Sequence, residues 1–550
     1  MTQRDGSVTL PEMDSTRIAE DDSSIAPTVP PQRAAVRRWH TPRWVLGVLA
    51  PLLVLVGLGA WALSSPVGSS PDDDYHLASI WCGLGERPGL CESVPGHPNE
   101  RMVDKELTGA SACFAFHPEV SGACTAKTPD GPSVDSNRGN WVTHLYPALY
   151  YAVVGVLATP HIGLSVLAIR GGNALLYVGL IAALYLLLPS FRRRALVWTQ
   201  AASMIPLGVF MVSSDNPSAW AVASAAVLWP SLVGYYQAPT RWRRVGFGAV
   251  AAVATVMGAG ARADAALFCI MSVAVAVILT VRPTVKYALL SILPVVLVGV
   301  SGLLYLTGAQ AEALSVGLAP GQNPQPPVAL IWGNLTNLPA LYAGTLGTWN
   351  LGWLDTSMPA VVWVAMLIVC GVAVFLGIKR PLLRKIIVLV CVGLGLIVYP
   401  MVLLFQSNAY VGTQVQPRYV LPLLVIFVGV ALHQDRAAAR VPARLRHIVA
   451  GAVLVAMANA FALHENIRRY VSGVSTISPN LDDGDTWWWG IGVSPMAVWS
   501  AGVIAFTVGL ALALLLAERG AARSGAESAG LDDTAPERSA SPALENSSSG

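Results

Sequence analysis

The chain has 550 residues, 54% hydrophobic and only 12% charged, with a mean hydropathy of +0.55. Soluble domains carry about 25% charged residues, so a large soluble enzyme is excluded and an all-α polytopic membrane protein is expected. A formal net charge of +3, held in short basic clusters between apolar runs, offers no basic face for nucleic acid.

Residues 1–43 are polar, and Asp5, Glu12, Asp14, Glu20, Asp21 and Asp22 make them unlike a cleavable signal peptide, which starts with a short basic region. They read as a disordered cytoplasmic tail, as does 518–550 at the other end. Residues 44–517 form the membrane domain. Its first run, 44–64, is long enough to span, since about 20 apolar residues cover the bilayer core. Arg33, Arg37, Arg38 and Arg43 before it place the N-terminus in the cytoplasm by the positive-inside rule.

Where that span ends, Pro71-Asp72-Asp73-Asp74-Tyr75-His76 sets three acids and a histidine at a membrane surface. Adjacent carboxylates repel, so the cluster is costly unless a cation, a basic partner or a proton-transfer task uses it. His76 lies four residues from Asp72, on the same face if the segment is helical. An orienting role for His76 fits best; an Asp–His pair is also compatible with a divalent cation, though the nearby ligands are few. A solvated helix end is the bland alternative.

The segment 65–140 carries Cys82, Cys91, Cys113 and Cys124, an even number confined to one external loop, which fits two disulfides in an oxidising compartment. Three pairings are open; Cys82–Cys91 and Cys113–Cys124 are the most local. The paired short spacings of a zinc site are absent. Cys269, Cys370 and Cys391 fall in apolar runs and read as packing residues.

Residues 141–189 must cross an odd number of times. The run Leu145 to Ala158 is short and starts with Tyr146, Pro147, Tyr150 and Tyr151, which favours an interfacial or re-entrant segment with its tyrosines at headgroup level. Ala174 to Leu188 is then the crossing. Further runs near 195–213, 217–238, 245–261, 264–281, 285–307, 359–378, 386–405, 419–433, 447–463 and 496–517 give twelve spans, or fourteen if His161 to Ile169 also crosses. Basic clusters at Arg192–Arg194, Arg241–Arg244, Arg282 with Lys286, Lys379–Lys385 and Arg436–Arg446 then all face inside, with both termini. Outside fall 65–140, 308–358 and 464–495.

Polar residues collect at the outer helix ends: Asp72 to Asp74, Asp215-Asn216, Asp355, and Gln416 with Arg418. Asp215-Asn216 could equally cap the helix starting near Pro217. Arg262 and Asp264 stand together at a junction of two runs and can pair with each other. Trp487-Trp488-Trp489 beside Asp482, Asp483 and Asp485 reads either as an aromatic belt or as a sugar-stacking platform.

Four segments in this order resemble the bacterial domain-of-unknown-function family 2142. Pro71 to His76 is similar to its acid-acid-x-x-His signature, and Leu145-Tyr146-Pro147-Ala148-Leu149-Tyr150-Tyr151 to its Pro-x-x-Tyr-Tyr block. Gly347 to Asp355 resembles its Gly-x-x-x-Trp-Leu-Asp segment. Gln416-Pro417-Arg418-Tyr419 resembles its Gln-Gly-Arg-Tyr motif, with Pro417 in place of Gly. The resemblance implies a membrane glycosyltransferase of the C fold, in the bacterial plasma membrane, using a polyprenyl-phosphate sugar donor to build an envelope glycan. It places catalytic acids at Asp72 or Asp73 and at Asp215.

The chemistry agrees. The acceptor hydroxyl must lose its proton as it attacks the anomeric carbon, and Asp72 or Asp73 can take it, supported by Asp74 and His76. The leaving phosphate suits the rigid fork of a guanidinium, here Arg418, with Gln416 and Tyr419 beside it; an interfacial anchor is the other reading of Arg418. Trp487, Trp488 and Asp355 are acceptor-binding candidates. Two other functions stay open: a transporter or flippase of a lipid-linked precursor, which needs charges along a mid-membrane path, and a non-catalytic membrane scaffold.

Overall fold

The computed structural model describes residues 43–127, 134–312, 317–318, 325–378, 381–434, 445–483 and 487–532. The expected tails lie outside these residues, except that Arg43 opens the first helix and 518–532 continue the last one to Asp532. Lys379, Arg380, the basic stretch up to residue 444 and Gly484–Thr486 also lie outside them.

Backbone amides have no water partner in lipid, so a spanning chain closes its hydrogen bonds within a helix. Among the described residues ten helices are long and apolar enough to cross: Trp44–Leu63, Ile162–Leu187, Ser218–Gln237, Arg241–Ala261, Ala263–Thr280, Val285–Tyr305, Ala360–Gly377, Leu383–Gln406, Leu445–Val471 and Pro495–Gly520. The architecture is the expected all-α polytopic bundle, but two of the twelve expected spans take another form. The run 195–213 is broken into Ser190–Ser203 and Leu207–Val212. Pro206 lacks an amide hydrogen and bars the residue before it from helical geometry. The break is tolerated because residues 201–213 are buried in protein, not lipid. The run 419–433 is the shorter helix Pro417–Leu432, which packs on Ser218–Gln237, Ser190–Ser203 and Leu383–Gln406.

The 141–189 stretch crosses once. His161 to Ile169 does not cross separately; it opens the single 26-residue helix Ile162–Leu187, which removes the fourteen-span count. Leu145 to Ala158 folds as the short helix Leu149–Val154 and one 3-10 turn, with no crossing. Its tyrosines do not face outward: Tyr146, Tyr150 and Tyr151 are all buried in protein. Ser218–Gln237, buried from Ser218 to Gly234, is the axis of the bundle and is apolar on every face, as an interior helix must be.

The loop 65–140 begins with the helix Asp73–Trp81 and carries an antiparallel sheet of β1 (Glu92–Val94), β2 (His97–Val103) and β3 (Val134–Ser136). Cys82 pairs with Cys91 and Cys113 with Cys124, the local pairing. Cys269 and Cys370 are buried, whereas Cys391 is exposed.

The helix Leu445–Val471 runs well past the expected end at 463 and carries Arg469 into the loops. Arg469 is fully buried and donates to the Phe114, His117 and Val120 carbonyls at 2.9, 3.1 and 2.7 Å and to Asp355 Oδ2 at 2.8 Å. Phe114 and Tyr470 pack edge to face at 5.6 Å beside it. One guanidinium therefore ties the second disulfide loop, the 344–358 segment and a membrane helix together. Removing one partner of such a buried pair typically costs about 3–5 kcal/mol, because the other charge stays buried. Arg469→Leu is expected to lower the melting temperature of the solubilised protein and to speed proteolysis within 92–127. An unchanged digestion pattern would show that the loop docks without it.

Candidate active site

The site starts with a backbone anomaly. Asp72 lies immediately before the helix Asp73–Trp81 with φ 62° and ψ 24°, the left-handed region that aspartate tolerates better than most residues. The turn is held from several sides. Tyr75 and His76 amides donate to the Asp72 carbonyl at 2.9 Å each. Asn216 Nδ2 and Arg418 Nη1 both donate to the Pro71 carbonyl, at 2.9 and 3.2 Å. The consequence is that Asp72 and Asp73, neighbours in sequence, meet different surroundings.

Asp72 meets Arg418. Arg418 Nη2 lies 2.5 Å from Asp72 Oδ2, with the arginine side chain 3% exposed and the aspartate 39%. Burial pushes the Asp72 carboxyl up, but the Arg418 charge and hydrogen bond, with Arg138, outweigh it and hold the acid below the usual range. Pro417, the departure from the family motif, is the first residue of its helix, where a missing amide hydrogen breaks no bond.

Asp73 is fully buried. Its Oδ2 accepts from the Ser70 amide at 2.8 Å, and Oδ1 has no hydrogen-bond partner. Burial first, then the nearby Asp215 charge, push its carboxyl well above the ordinary value. Asp215, also fully buried and raised by burial, is held by Arg170 Nε at 2.8 Å. Two carboxylates thus face one guanidinium, and Asp73, which lacks the direct hydrogen bond to it, is pushed toward its neutral form.

His76 is buried with Nδ1 2.8 Å from Tyr151 Oη, while Nε2 has no hydrogen-bond partner. Burial drives its pKa down to about 3 against the pull of Asp72, so the ring is neutral. Among the described residues no group of three or more His, Cys, Asp or Glu side chains is placed to hold a metal ion. Asp74 points elsewhere and pairs with Arg138 at the rim.

Arg262 belongs to the same neighbourhood. Its guanidinium and that of Arg418 sit over the Tyr419 ring at 5.0 and 5.2 Å, and Arg262 also lies 5.6 Å from Tyr146. Arg262 forms the expected fork with Asp264, two contacts of 2.8 Å. Arg418 differs: it gives Asp72 a single nitrogen and leaves Nε without a partner. It is therefore the better placed of the two to accept an anion. Gln416 immediately precedes the helix, without a side-chain capping bond, and lines a small cleft with Arg418, Pro71 and Trp349. That cleft and the one beside Arg262 each hold about 20 Å³, room for one water at most, so the site is closed. A larger apolar groove of about 570 Å³ opens between Pro327–Ala343, Ala360–Gly377, Leu383–Gln406 and Pro417–Leu432, lined by Leu424 and Phe427 on the Arg418 helix.

The acceptor candidates gather in another place. Asp355 is held by Arg469, Arg469 lies over Tyr470 at 4.9 Å, and Trp488 packs 6.1 Å from Tyr470 with the Trp487 ring tilted against it at 4.5 Å. All three therefore belong to the loop clamp, not to the Asp72–Arg418 pair. Sequence reading passed over Arg170, whose signal was a lone arginine inside an apolar run, and Arg469, hidden in a stretch taken as loop. It also passed over Arg138, which only the fold brings to Asp74.

A family model described as "Predicted membrane protein (DUF2142)" matches residues 54–427. Among solved structures, the chain is similar to ArnT from Cupriavidus metallidurans bound to undecaprenyl phosphate, at 16% identity and a TM-score of 0.36, over 89% of this chain and 79% of that one. No curated protein matches it.

The neutral His76 has a stability consequence. Its folded pKa of about 3 lies below the unfolded value near 6.5. As pH falls below about 6.5 the unfolded chain takes the proton first, so stability is lost progressively down to about 3. Asp73, whose pKa is raised, works in the opposite direction but is common to both proteins compared. The drop in melting temperature from pH 7 to pH 5 should be smaller in His76→Gln than in the parent chain; equal drops would mean that His76 is protonated in place.

Proposed function

The chain belongs to the DUF2142 family of predicted membrane proteins, and we propose that it is an extracytoplasmic glycosyltransferase using a polyprenyl-phosphate sugar donor to build a cell-envelope glycan. The observation that carries this reading is the 2.5 Å pair of a part-exposed Asp72 with a buried Arg418 that has unused donors. The family resemblance supplies the donor class and the C-type fold. The basic clusters at the opposite helix ends support an orientation with both termini in the cytoplasm of a bacterial plasma membrane and the site outside.

In this reading the donor phosphate enters beside Arg418, in contact with Tyr419 and Gln416. Its lipid lies in the apolar groove, which begins about 9 Å along the helix from Arg418, six residues at ~1.5 Å each. The acceptor oxygen attacks the anomeric carbon, its proton passes to Asp72, and the bond from that carbon to the phosphate oxygen breaks with its electrons going to the phosphate. Arg418 neutralises the charge that develops there. In the resting pair Arg418 keeps Asp72 a weak base. Once phosphate shares the guanidinium, that stabilisation is divided and Asp72 becomes more basic when a substrate is present. Asp73 and Asp215 act as positioning residues that fix the turn. The closed clefts require the segment 344–354 to shift before a sugar can enter.

The test is cell-envelope linkage analysis in a deletion strain complemented with variants of equal expression. Asp72→Asn should fall to about a hundredth of the parent rate or less, the usual loss for a general base. Arg418→Lys should fail despite its charge, because an ammonium cannot make the fork. Asp73→Asn should retain most activity, since burial and the Asp215 charge favour the neutral form of that carboxyl. Normal linkages with both Asp72→Asn and Arg418→Lys would end the enzyme reading. Accumulation of a completed lipid-linked precursor on one face would favour a flippase.

A further inference from the structure

The bundle has a second polar centre at the opposite end of the same helices. Ser218–Gln237 runs from the Asp215 turn to a cavity of about 770 Å³, roughly 30 Å away for 20 residues. Three basic clusters far apart in sequence converge on it: Arg192, the Arg243–Arg244 pair, and Arg282 with Lys286. No carboxylate is among its lining residues. Topology alone requires cations on that side of a membrane, but not that they share one concave space.

The cavity is built. Arg192 is fixed by Gln237 Oε1 at 2.5 Å and Arg244 by the Ala238 carbonyl at 3.1 Å. Tyr236 and Tyr287 stack at 4.4 Å, nearly parallel, to form one wall. The Tyr236 hydroxyl meets Ser291 Oγ at 3.0 Å, at the break between the helices Val285–Leu290 and Ile292–Tyr305. Val285, Leu289 and Ile292 beside that break are exposed and apolar. Five like charges around walls of low polarity repel one another, and an anion removes that penalty.

We propose that this cavity binds a phosphate group, each oxygen taking guanidinium donors, and that it does so independently of the acid-bearing site. The group can come from an anionic lipid whose chains lie against Val285, Leu289 and Ile292, or from free phosphate. The full-length protein in zwitterionic detergent is titrated calorimetrically with dihexanoyl phosphatidylglycerol and, separately, with inorganic phosphate. Binding of at least one probe is expected, weakened about tenfold or more in R282Q/K286Q, given what two cations contribute toward an anionic headgroup. R241Q, an exposed arginine outside the lining, should bind as the parent does. Tighter binding of the lipid identifies a headgroup site; equal or tighter binding of inorganic phosphate identifies a free-anion site. Equal weakening by R282Q/K286Q and R241Q, or no binding of either probe, overturns the proposal. Should R282Q/K286Q melt at a lower temperature than the parent, R243Q serves in its place with the same criteria.

Discussion

Arg170 fixes the geometry on which the acid-bearing end depends. Its side chain is 1% exposed, and every donor is engaged: Nε with Asp215, Nη1 with the Ala62 and Ser65 carbonyls, Nη2 with the Pro66 carbonyl and Ser69 Oγ. It thereby joins the end of the first membrane helix, the helix Ile162–Leu187 and the turn before Ser218–Gln237. A lysine could not do this, since three donors on a point cannot reach five acceptors spread over an arc. A buried ion pair is weak evidence of net stability, but this one specifies where the Pro71–Asp73 turn must lie.

That constraint sorts the acids. Three successive carboxylates in a chain look equivalent, yet each meets a different cation. Asp74 takes Arg138 at the rim, Asp72 takes Arg418, and Asp73 shares Arg170 only at second hand through Asp215. The left-handed backbone at Asp72 turns the chain between the two acids, immediately before the helix that carries Asp73. Strain of this kind persists where surrounding contacts over-determine it, here through the two donors on the Pro71 carbonyl. The part-exposed acid is the one held in its charged form by Arg418, and the buried one serves the scaffold.

Much of this was legible in the chain. Apolar runs and basic clusters located the helices, four cysteines in one loop marked the two disulfides, and motifs hundreds of residues apart, Pro71–His76 and Gln416–Tyr419, meet in space. What escaped was whatever depends on burial inside the bundle. A hydropathy run such as 195–213 does not disclose that Pro206 breaks it, because protein can surround a break that lipid would forbid. Tyr146, Tyr150 and Tyr151 resemble an interfacial belt by composition, but Tyr150 Oη donates to the Asp215 carbonyl at 2.7 Å and Tyr151 meets His76. Asp355 and the tryptophans carry the residue types of a sugar platform and are instead gathered around Arg469. Residue type is visible in a sequence; the partner that occupies it is not.

The same contacts decide which part of the site can open. The Arg170 network holds the acid turn from below, and Arg469 holds Asp355 and the disulfide loop from the side. Between these anchors, Gly344–Thr348 is an irregular turn with Gly347 at φ 112°, followed by Trp349 to Leu354, which covers the cleft beside Arg418. A Cβ at Gly344 would meet Pro417 Cγ at 2.7 Å, so this cover presses directly on the start of the Arg418 helix. Asp355 cannot yield without leaving a buried charge unpaired, whereas Gly344 packs on Pro417 and Trp349, and Trp353 is tied to the Gly68 carbonyl by one indole hydrogen bond at 2.8 Å. In the proposed mechanism, access to Arg418 therefore depends on the 344–354 cover, with the acid and the guanidinium held by their own contacts.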